Sequence, residues 1–416
     1  MNKERSGLLV CLLLLLYGTA VTQPQKWVAT WAASPEPVNA DPDQPILNLH
    51  DQTVRERVRI SVGGSQFRIC LTNEYGSLPV VIGSVTAAVP TDAAGVKSGL
   101  IRAVSFGGRN SITIPAGAPA ISDPIAMPVA YGSEISISLY FPKHVTTPTE
   151  HDLALKRAIV SARGDHTNDE TIQGGTEASS LVFISAVLVP AHPLQQLVVA
   201  FGDSITDGYR STLDADRSWP SDLVRRLASA PNSSKVAVVN EGISGNRLLA
   251  NGPIANLGAS ALARFDRDAL SLPGVTHIVL LEGANDLGFP GVKVGNLSFA
   301  DPADTRSADD LIGAYRQLIE RAHARGIKLI GSTMTPLEGF FVPGFYSDAK
   351  EAERRAVNNW IRSSGACDGV IDFDELVRDP DHPSRLSARF DSGDHGHPND
   401  AGYQAMADAI DLALFQ

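Results

Sequence analysis

Cysteine is scarce in this sequence. The 416 residues include 3 cysteines, and aromatic residues make up only 6% of the chain. A chain of this length with so little cysteine is not a disulfide-stabilised scaffold. Cys11 lies in an apolar segment at the start, which leaves Cys70 and Cys367 far apart in sequence. Export would permit a disulfide between them, but we expect two free thiols.

The sequence also lacks an excess of basic residues. Lys and Arg number 35 against 46 Asp and Glu, for a formal net charge of −11. An acidic chain without basic clusters argues against nucleic acid or an anionic membrane as a partner. Beyond residue 24 no apolar run approaches the roughly 20 residues that a bilayer span needs. The 43% hydrophobic content is typical of a globular protein.

The first residues are typical of a secretory signal peptide. Lys3 and Arg5 precede an almost purely apolar run at 8–16, and small residues follow at 18–20. We predict a signal peptide over residues 1–23. The alternative is an uncleaved membrane anchor, for which the run is short. A secreted or periplasmic protein, with no membrane insertion after cleavage, is expected.

The rest of the chain predicts two domains, since its length exceeds what one hydrophobic core usually serves. Residues 24–190 combine short apolar runs with Gly, Pro, Asn and Asp, which predicts an all-β sandwich or jelly-roll-like domain. The residues Gly63, Gly64 and Ser65 separate two alternating runs and predict a hairpin. Further strands are predicted at 80–89, 112–114, 135–140 and 181–188.

Residues 195–416 follow a different pattern, in which continuous apolar strands alternate with helices. This pattern predicts a parallel sheet that is covered on both faces. The linker is expected near residues 188–195. The predicted strands lie at 197–201, 236–240, 278–281, 327–330 and 370–373, and the predicted helices at 219–230, 308–325, 348–363 and 401–414.

The first chemical motif follows the first of these strands directly. It consists of Gly202, Asp203 and Ser204. Functional sites of parallel α/β sheets lie beyond the carboxyl ends of the strands, where a serine can turn its hydroxyl and its N–H group into the crevice. Such a tripeptide alone is more often a plain turn.

Two further blocks follow the second and third strands. Gly242 and Gly245, within residues 240–246, allow a tight turn that presents backbone N–H groups, although an ordinary connection is the alternative. Asn285, in the segment 283–286, offers uncharged donors that suit an oxyanion. Its alternative role is to cap the next helix.

The fourth block lies near the C-terminus and contains Asp394 and His397. A serine hydroxyl is a weak nucleophile and needs a base, which a histidine can supply when a carboxylate orients it. His395 is an alternative base. Together with Asp391 these side chains could also form a metal site, but the serine block favours nucleophilic catalysis, and we expect no metal and no cofactor.

The four blocks, in this order, resemble those of the SGNH, or GDSL-type, hydrolase family over residues 195–416. The resemblance implies a three-layer α/β/α fold, with Ser204 as nucleophile, His397 as base and Asp394 as its orienting carboxylate. It also implies an oxyanion hole formed by the N–H groups of Ser204 and Gly245 and by the side chain of Asn285. The expected reaction is hydrolysis of a carboxylic ester through an acyl-enzyme.

Three segments resemble a narrower branch, the secreted SGNH proteins with an N-terminal β domain that are related to rumen xylan esterases. They are WVATW at 27–31, LTNEYG at 71–76 and DSGDHGHP at 391–398. This resemblance implies an acetylated glycan, plant cell-wall polysaccharide, as the ester substrate. A lipase or phospholipase with longer acyl preference, and an inactive carbohydrate-binding protein, are the alternatives.

Five further residues are candidate substrate contacts. Asn246 and Arg247 adjoin the oxyanion glycine, with simple surface exposure as the alternative. Phe340, Phe341 and Tyr346 lie in an aromatic loop after the fourth strand, which could hold an acyl or sugar group. Buried packing would explain these aromatic residues equally well.

Overall fold

The computed structural model describes residues 25–38, 47–229 and 235–415. The predicted signal peptide, residues 1–23, lies outside these residues. In the described part of the chain, none of the helices has both the length and the apolar character that a membrane span requires.

The described residues up to Pro190 contain fifteen strands, which pair antiparallel within their sheets. These strands are β1 (Trp27–Ala32), β2 (Glu36–Pro37), β3 (Gln52–Arg59), β4 (Arg68–Thr72), β5 (Val80–Ile82), β6 (Ser84–Ala88), β7 (Arg102–Ala103), β8 (Ile112–Ile114), β9 (Pro119–Ile121), β10 (Glu134–Phe141), β11 (Thr149–His151), β12 (Ala158–Arg163), β13 (Thr176–Ala178), β14 (Leu181–Val182) and β15 (Ile184–Pro190).

Two larger sheets dominate this β part of the chain. One has the strand order β1-β15-β4-β9 and the other β13-β12-β3-β10-β6-β7. Alternate residues of β10, such as Ile135 and Ile137, are buried in the same hydrophobic cluster as Ile69 and Leu71 of β4. Because both sheets bury one face in a common core, the arrangement is that of a β sandwich. The all-β prediction is confirmed.

The hairpin predicted at residues 63–65 is wrong. β3 belongs to the six-stranded sheet and β4 to the four-stranded sheet, so the segment between them crosses from one sheet to the other. Its backbone pairs elsewhere: the N–H of Gly64 donates to the carbonyl oxygen of Val129 at 3.0 Å, and that of Phe67 to Ile125 at 3.2 Å. The two alternating runs face the same core without pairing with each other.

The remainder of the chain is built on a five-stranded parallel sheet with the order β17-β16-β18-β21-β22. A separate two-stranded ribbon, β19 with β20, lies outside this sheet. The strands are β16 (Gln196–Gly202), β17 (Val236–Gly242), β18 (His277–Leu281), β19 (Lys293–Val294), β20 (Leu297–Ser298), β21 (Lys328–Ser332) and β22 (Gly369–Ile371).

Helices cover both faces of the parallel sheet. Leu197, Val199 and Phe201 of β16 belong to one hydrophobic cluster, and Val198 and Ala200 to another. The predicted three-layer α/β/α arrangement is therefore confirmed. The helices are α1 (Ser204–Asp207), α2 (Trp219–Ala228), α3 (Ala261–Phe265), α4 (Ala284–Gly288), α5 (Ala308–His323), α6 (Asp348–Ser363), α7 (Phe373–Val377) and α8 (Asp400–Ala409).

The β part and the parallel sheet are packed directly on each other. Apolar side chains of both belong to one cluster, and β1 lies against β17. Polar contacts join them as well: the N–H of Val238 donates to Ser61 Oγ at 3.1 Å, and the hydroxyl of Tyr131 to the carbonyl oxygen of Val224 at 2.9 Å. The predicted domain limits, 24–190 and 195–416, stay predictions.

Both cysteines of the described chain are free thiols, as expected. Burial raises the pKa of Cys70 to about 12 and that of Cys367 to about 11. Because the thiolate is the reactive form of cysteine, these groups are poor nucleophiles at neutral pH.

Glu56, on β3, is a fully buried acid of the sandwich core. Burial raises its pKa from 4.5 to about 8, against the opposing effect of the hydrogen bond that its carboxyl accepts from the N–H of Val182. The folded protein therefore keeps this proton at a pH where the unfolded chain has lost it. By linkage, this group makes the fold less stable as pH rises from about 4.5 to about 8.

We expect the substitution Glu56→Gln to remove this pH dependence. Wild type should lose roughly 2–4 kcal/mol more free energy of unfolding between pH 5 and pH 8 than the variant does, since one pKa unit corresponds to about 1.4 kcal/mol. Urea unfolding at the two pH values measures the difference. Glu177→Gln, at an exposed position of the same sheet, is the control. Equal pH dependence in wild type and Glu56→Gln would contradict the prediction.

Candidate functional site

Ser204 is the first residue of the short helix α1, directly after β16. The carboxylate of Asp203 caps this helix by accepting the N–H of Ile205 at 3.0 Å. Asn240, from the end of β17, donates its amide to two carbonyl oxygens at the other end of the helix, at 2.9 and 3.2 Å. The N–H of Ser204 belongs to the first turn, where backbone donors have no partner within the helix.

The structure brings Ser204, His397 and Asp394 together in one chain of contacts. Ser204 Oγ lies 2.9 Å from His397 Nε2, and His397 Nδ1 lies 2.8 Å from Asp394 Oδ2. Because an ionised carboxylate only accepts hydrogen bonds, the ring proton is on Nδ1. The lone pair of Nε2 then faces the serine hydroxyl, which donates to it.

Asp394 is held in its ionised form. Burial opposes ionisation, but the hydrogen bonds from the His397 ring and from the backbone N–H groups of Gly396 and His397 outweigh it and keep the pKa of Asp394 below its ordinary value. These two N–H groups donate to Oδ1 at 3.0 and 2.9 Å. A carboxylate held in this way fixes the orientation of the imidazole.

Arg210 is a neighbour of this carboxylate that no sequence motif marks. Its Nε donates to Asp394 Oδ2 at 3.0 Å. Its guanidinium lies 5.3 Å from the ring centre of Tyr209 and 5.9 Å from that of Phe341. Its backbone has a φ of +71°, which is uncommon outside glycine. Arg210 therefore joins the loop that carries Asp394 and His397 to the aromatic loop that carries Phe341.

Gly245 adopts a backbone conformation that favours glycine, with a φ of +76°. A Cβ atom there would lie 2.7 Å from the side chain of Leu257, so any other residue would have to displace that side chain. Gly245 lines the same cavity as Ser204. The sequence expectation of a tight turn at this glycine therefore agrees with the geometry.

Asn285, the second residue of α4, also lines this cavity. Its Nδ2 donates to the carbonyl oxygen of Asn246 at 2.8 Å. An amide nitrogen carries two protons, so one donor remains for another acceptor. The contact with the loop next to Gly245 holds the amide in place, which favours a role as a fixed donor.

The cavity beside Ser204 has a volume of about 200 Å³. Its polar wall includes Ser204, Gly245, Asn285 and His397. The rest is mostly apolar and consists largely of Leu153, Ile205, Leu257, Ala284, Phe289, Phe299, Leu337, Phe340, Phe341, Val342 and Phe345. Of these, only Phe340 and Phe341 were candidate contacts from the sequence.

Tyr346 lies outside this cavity, so the structure does not bring this candidate contact together with Ser204. It lines a separate, very small cavity beside Glu351 and Arg354. Leu337 and Phe345 line both cavities, whereas Tyr346 lines only the small one. Proximity in sequence to the phenylalanines was the only basis for including Tyr346.

Asn246 and Arg247 are both buried, which corrects the prediction of substrate contact as well as the surface alternative. The amide of Asn246 donates to the carbonyl oxygens of Leu257 and Ala259, each at 2.9 Å. Arg247 pairs with Asp304 at 2.8 Å. Neither side chain lines the cavity, and both hold the loop that carries Gly245.

His395, the alternative base, points away from the serine. Its Nδ1 lies 2.5 Å from Asp391, and its side chain is 57% exposed. The four side chains of the alternative metal cluster thus divide into two separate pairs, Asp391 with His395 and Asp394 with His397. Among these residues, only His397 has a hydrogen bond to Ser204.

Arg264, on α3, is a structural residue of the site that the sequence interpretation missed. Its buried guanidinium donates to the carbonyl oxygens of Gly202 and Glu241 at 2.9 and 2.8 Å, and to Asn246 Oδ1 at 2.9 Å. These acceptors lie at the carboxyl ends of β16 and β17 and beside Gly245. Arg264 therefore fixes the strand ends that present Ser204 and Gly245.

The surroundings of Arg264 are rich in buried acids. Its Nη1 lies 3.3 Å from Asp268 and its Nη2 3.4 Å from Glu282, which follows β18. Burial raises the pKa of Glu241 and Glu282 well above their ordinary value, that of Asp203 to about 7 and that of Asp286 to about 6. Arg264 thus lies among several buried acids, and one of them, Asp268, also pairs with Arg267 at 2.5 Å.

Comparison with protein families adds an independent observation to this geometry. Residues 200–405 match the GDSL-like Lipase/Acylhydrolase family. This segment, called the GDSL segment below, is therefore a domain of the GDSL-like acylhydrolase family. The GDSL segment begins within β16 and contains β17 to β22 together with Ser204, Asp394 and His397. The family is one of acyl ester hydrolases. Comparison with curated proteins finds no match.

Solved structures similar to this GDSL protein cover about half of it. A GDSL-like lipase from Bacteroides thetaiotaomicron is 19% identical, over 54% of this chain and 90% of its own, with a TM-score of 0.38. A carbohydrate acetylesterase family member from Sinorhizobium meliloti is 16% identical, over 53% and 97%, with a TM-score of 0.40. An acetyl xylan esterase is 20% identical, over 51% and 96%, with a TM-score of 0.38. Likeness at this level does not carry a substrate from one protein to another.

The role of Arg264 leads to a prediction about stability. Arg264→Leu leaves buried carbonyl and carboxyl oxygens without their donor, and we expect it to lower the free energy of unfolding by about 3–5 kcal/mol. Arg264→Lys should recover only part of this loss, because an ammonium group cannot donate in the same planar fork. Denaturant unfolding measures both, with Arg355→Leu at an exposed position of α6 as control. A loss in Arg264→Leu no larger than in the control would contradict this role.

Proposed function

We propose that this GDSL protein is a secreted serine esterase that hydrolyses carboxylic esters through an acyl-enzyme on Ser204. The observation that carries the proposal is the chain of contacts from Ser204 Oγ through His397 to Asp394, at 2.9 and 2.8 Å. A nucleophile, a base and an orienting carboxylate in hydrogen-bond reach are the parts that acyl transfer requires.

In the first step, Ser204 Oγ forms a bond to the carbonyl carbon of the ester, and its proton moves to His397 Nε2. The imidazolium that results is stabilised by Asp394, whose ionised form is favoured by the contacts described above. The carbonyl oxygen becomes an oxyanion. The N–H groups of Ser204 and Gly245 and the free amide proton of Asn285 are its proposed donors.

In the second step, the bond between the carbonyl carbon and the alcohol oxygen breaks, and His397 delivers its proton to the departing alcohol. Water then attacks the acyl-enzyme, with His397 as base once more, and releases the carboxylic acid and free Ser204. Both halves of the cycle use the same three side chains, and none requires a cofactor.

The natural ester is proposed from the sequence resemblance alone. It is an acetylated glycan, plant cell-wall polysaccharide, with secretion directed by the signal peptide predicted at residues 1–23. A lipase-type acylhydrolase is the second candidate, and one observation favours it: the cavity beside Ser204 has a mostly apolar wall. An inactive carbohydrate-binding protein is disfavoured because the proposed catalytic side chains are all in hydrogen-bond reach.

Ser204→Ala should abolish hydrolysis of 4-nitrophenyl acetate, with a loss of roughly 10⁴-fold or more in kcat, since removal of such a nucleophile costs up to about 10⁶-fold. Ser211→Ala, in the same segment but outside the cavity, should keep wild-type activity. Retained hydrolysis in Ser204→Ala would locate the reaction elsewhere. Acetate release from acetylated xylan by wild type, and not by Ser204→Ala, would support the glycan substrate.

Asn285→Ala and Asp394→Asn test the supporting groups separately. Loss of one oxyanion donor should lower kcat by about 10²–10³-fold, with little change in KM, because that donor acts mainly in the transition state. Asp394→Asn should lower kcat by about 10⁴-fold through the wrong imidazole tautomer. Steady-state kinetics on one ester measure both. A change confined to KM in Asn285→Ala would exclude it from the oxyanion hole.

A further inference from the structure

Aromatic rings form a continuous wall that leads away from the reacting groups. The ring centre of Phe340 lies 5.5 Å from that of His397 and 4.8 Å from that of Phe345. Phe289 lies 5.7 Å from Phe345, and Phe299 lies 4.9 Å from Phe289. The inner members, Phe289 and Phe345, are buried. The cavity therefore extends from the base into an apolar region of the protein.

The neighbouring backbone fixes the positions of two of these rings, because the rings pack directly against glycines. A Cβ atom on Gly288 would lie 2.1 Å from the ring of Phe345, and one on Gly396 would lie 2.3 Å from the ring of Phe340. Only glycine lets the rings lie so close to α4 and to the loop that carries His397. Because the rings rest against backbone, the wall is formed in advance of any ligand.

One part of the wall comes from the β part of the chain. Leu153 lies between β11 and β12 and has a left-handed backbone, with a φ of +52°. The preceding residue anchors it: the N–H of Asp152 donates to the carboxyl of Glu36 at 2.9 Å, and Asp152 Oδ2 accepts the amide of Asn256 at 2.9 Å. Asn256 belongs to the GDSL segment, so Leu153 is held at the junction of the two parts.

We propose that this cavity binds the acyl group of the ester. The acyl group is apolar and about as large as a benzene ring or a short alkyl chain. The β part of the chain contributes to this selectivity through Leu153. The inference rests on the proposed function. With the oxyanion at Gly245 and Asn285 and the alcohol oxygen at His397, the remaining substituent of the carbonyl carbon is the acyl chain, which enters the cavity.

The size and lining of the cavity support this assignment. Apolar cavities of about 150 Å³ lined by similar side chains bind benzene, and this one has about 200 Å³. An acetyl group would leave most of it unfilled. The inference therefore replaces the acetyl group of the proposed glycan ester with a larger acyl group and keeps the carbohydrate as the alcohol. Each methylene that moves from water into an apolar site favours binding by about threefold to fourfold. The alcohol lies on the open side, where Phe341 is 57% exposed, so a carbohydrate alcohol is compatible with the proposal.

Two ester series measured on the full-length protein test this inference. The first varies the acyl group with a constant alcohol: 4-nitrophenyl acetate, butyrate, hexanoate and benzoate. We expect kcat/KM to rise about threefold per added methylene up to hexanoate, and benzoate to be cleaved faster than acetate. The second varies the alcohol with a constant acetyl group: ethyl, butyl and hexyl acetate, which should differ little.

Leu153→Asn tests the contribution of the β part. Asparagine is similar in size to leucine and tolerates positive φ, so the change replaces an apolar surface with a polar one. We expect the ratio of kcat/KM for hexanoate to that for acetate to fall by about tenfold. Leu155→Asn is the matched control, since Leu155 lies two residues away, has a φ of +50° and lines a different cavity. Its ratio should stay at the wild-type value.

The outcomes separate this inference from the proposed function. If no ester is hydrolysed in a Ser204-dependent way, the proposed function fails. If Ser204-dependent hydrolysis is fastest on acetate, or if rates follow the alcohol and not the acyl group, the esterase remains and the acyl assignment is overturned. If Leu153→Asn and Leu155→Asn change the ratio equally, the contribution of the β part is overturned.

Discussion

The rest of the site depends on the hydrogen bonds that the guanidinium of Arg264 donates. It is buried among the carboxyl ends of β16, β17 and β18 and donates to backbone or side-chain oxygens at each of them. Its face lies 4.0 Å from the ring centre of Phe201. Parallel strands end in carbonyl groups that no neighbouring strand satisfies, and a planar group with five donors can serve several of them at once. A nucleophile and an oxyanion hole must be held in a fixed geometry, and the loops that carry them therefore need such a rigid support.

The same region joins the two parts of the chain. Arg264 also donates to Ser34 Oγ at 3.0 Å, from the β part. His151, at the end of β11, lies 3.3 Å from Asp207 of α1, and Asp207 accepts the hydroxyl of Ser244 at 2.6 Å. The helix of the proposed nucleophile is therefore braced from the β part. The β part supports the geometry of the site as well as lining its cavity.

Much of the site could be predicted because its chemistry depends on residue type at strand ends. Ser204 and Asn285 were predicted because they follow apolar strands, and His397 because it lies three residues after Asp394, just before the last predicted helix. The parallel sheet itself follows from the length and continuity of the apolar strands. Cavity residues such as Phe289 and Leu153 carry no such mark, since an apolar side chain in a cavity wall has the same sequence pattern as one in a core. Asn246 and Arg247 were wrongly assigned because a polar side chain beside a glycine can equally face inward when carbonyl and carboxylate partners surround it.

The connection between β3 and β4 illustrates the same limit in the β part. Alternating apolar residues on both sides of Gly63 and Gly64 indicate two half-buried strands, and both are present. Whether two such strands pair with each other or face each other across a core depends on partners distant in sequence, here Val129 and Ile125. Local patterns thus determined the elements, the fold class of the GDSL segment and the order of its reactive residues. Only the tertiary structure decided which buried polar groups support the site and which apolar side chains surround its cavity, because both depend on contacts between segments far apart in the chain.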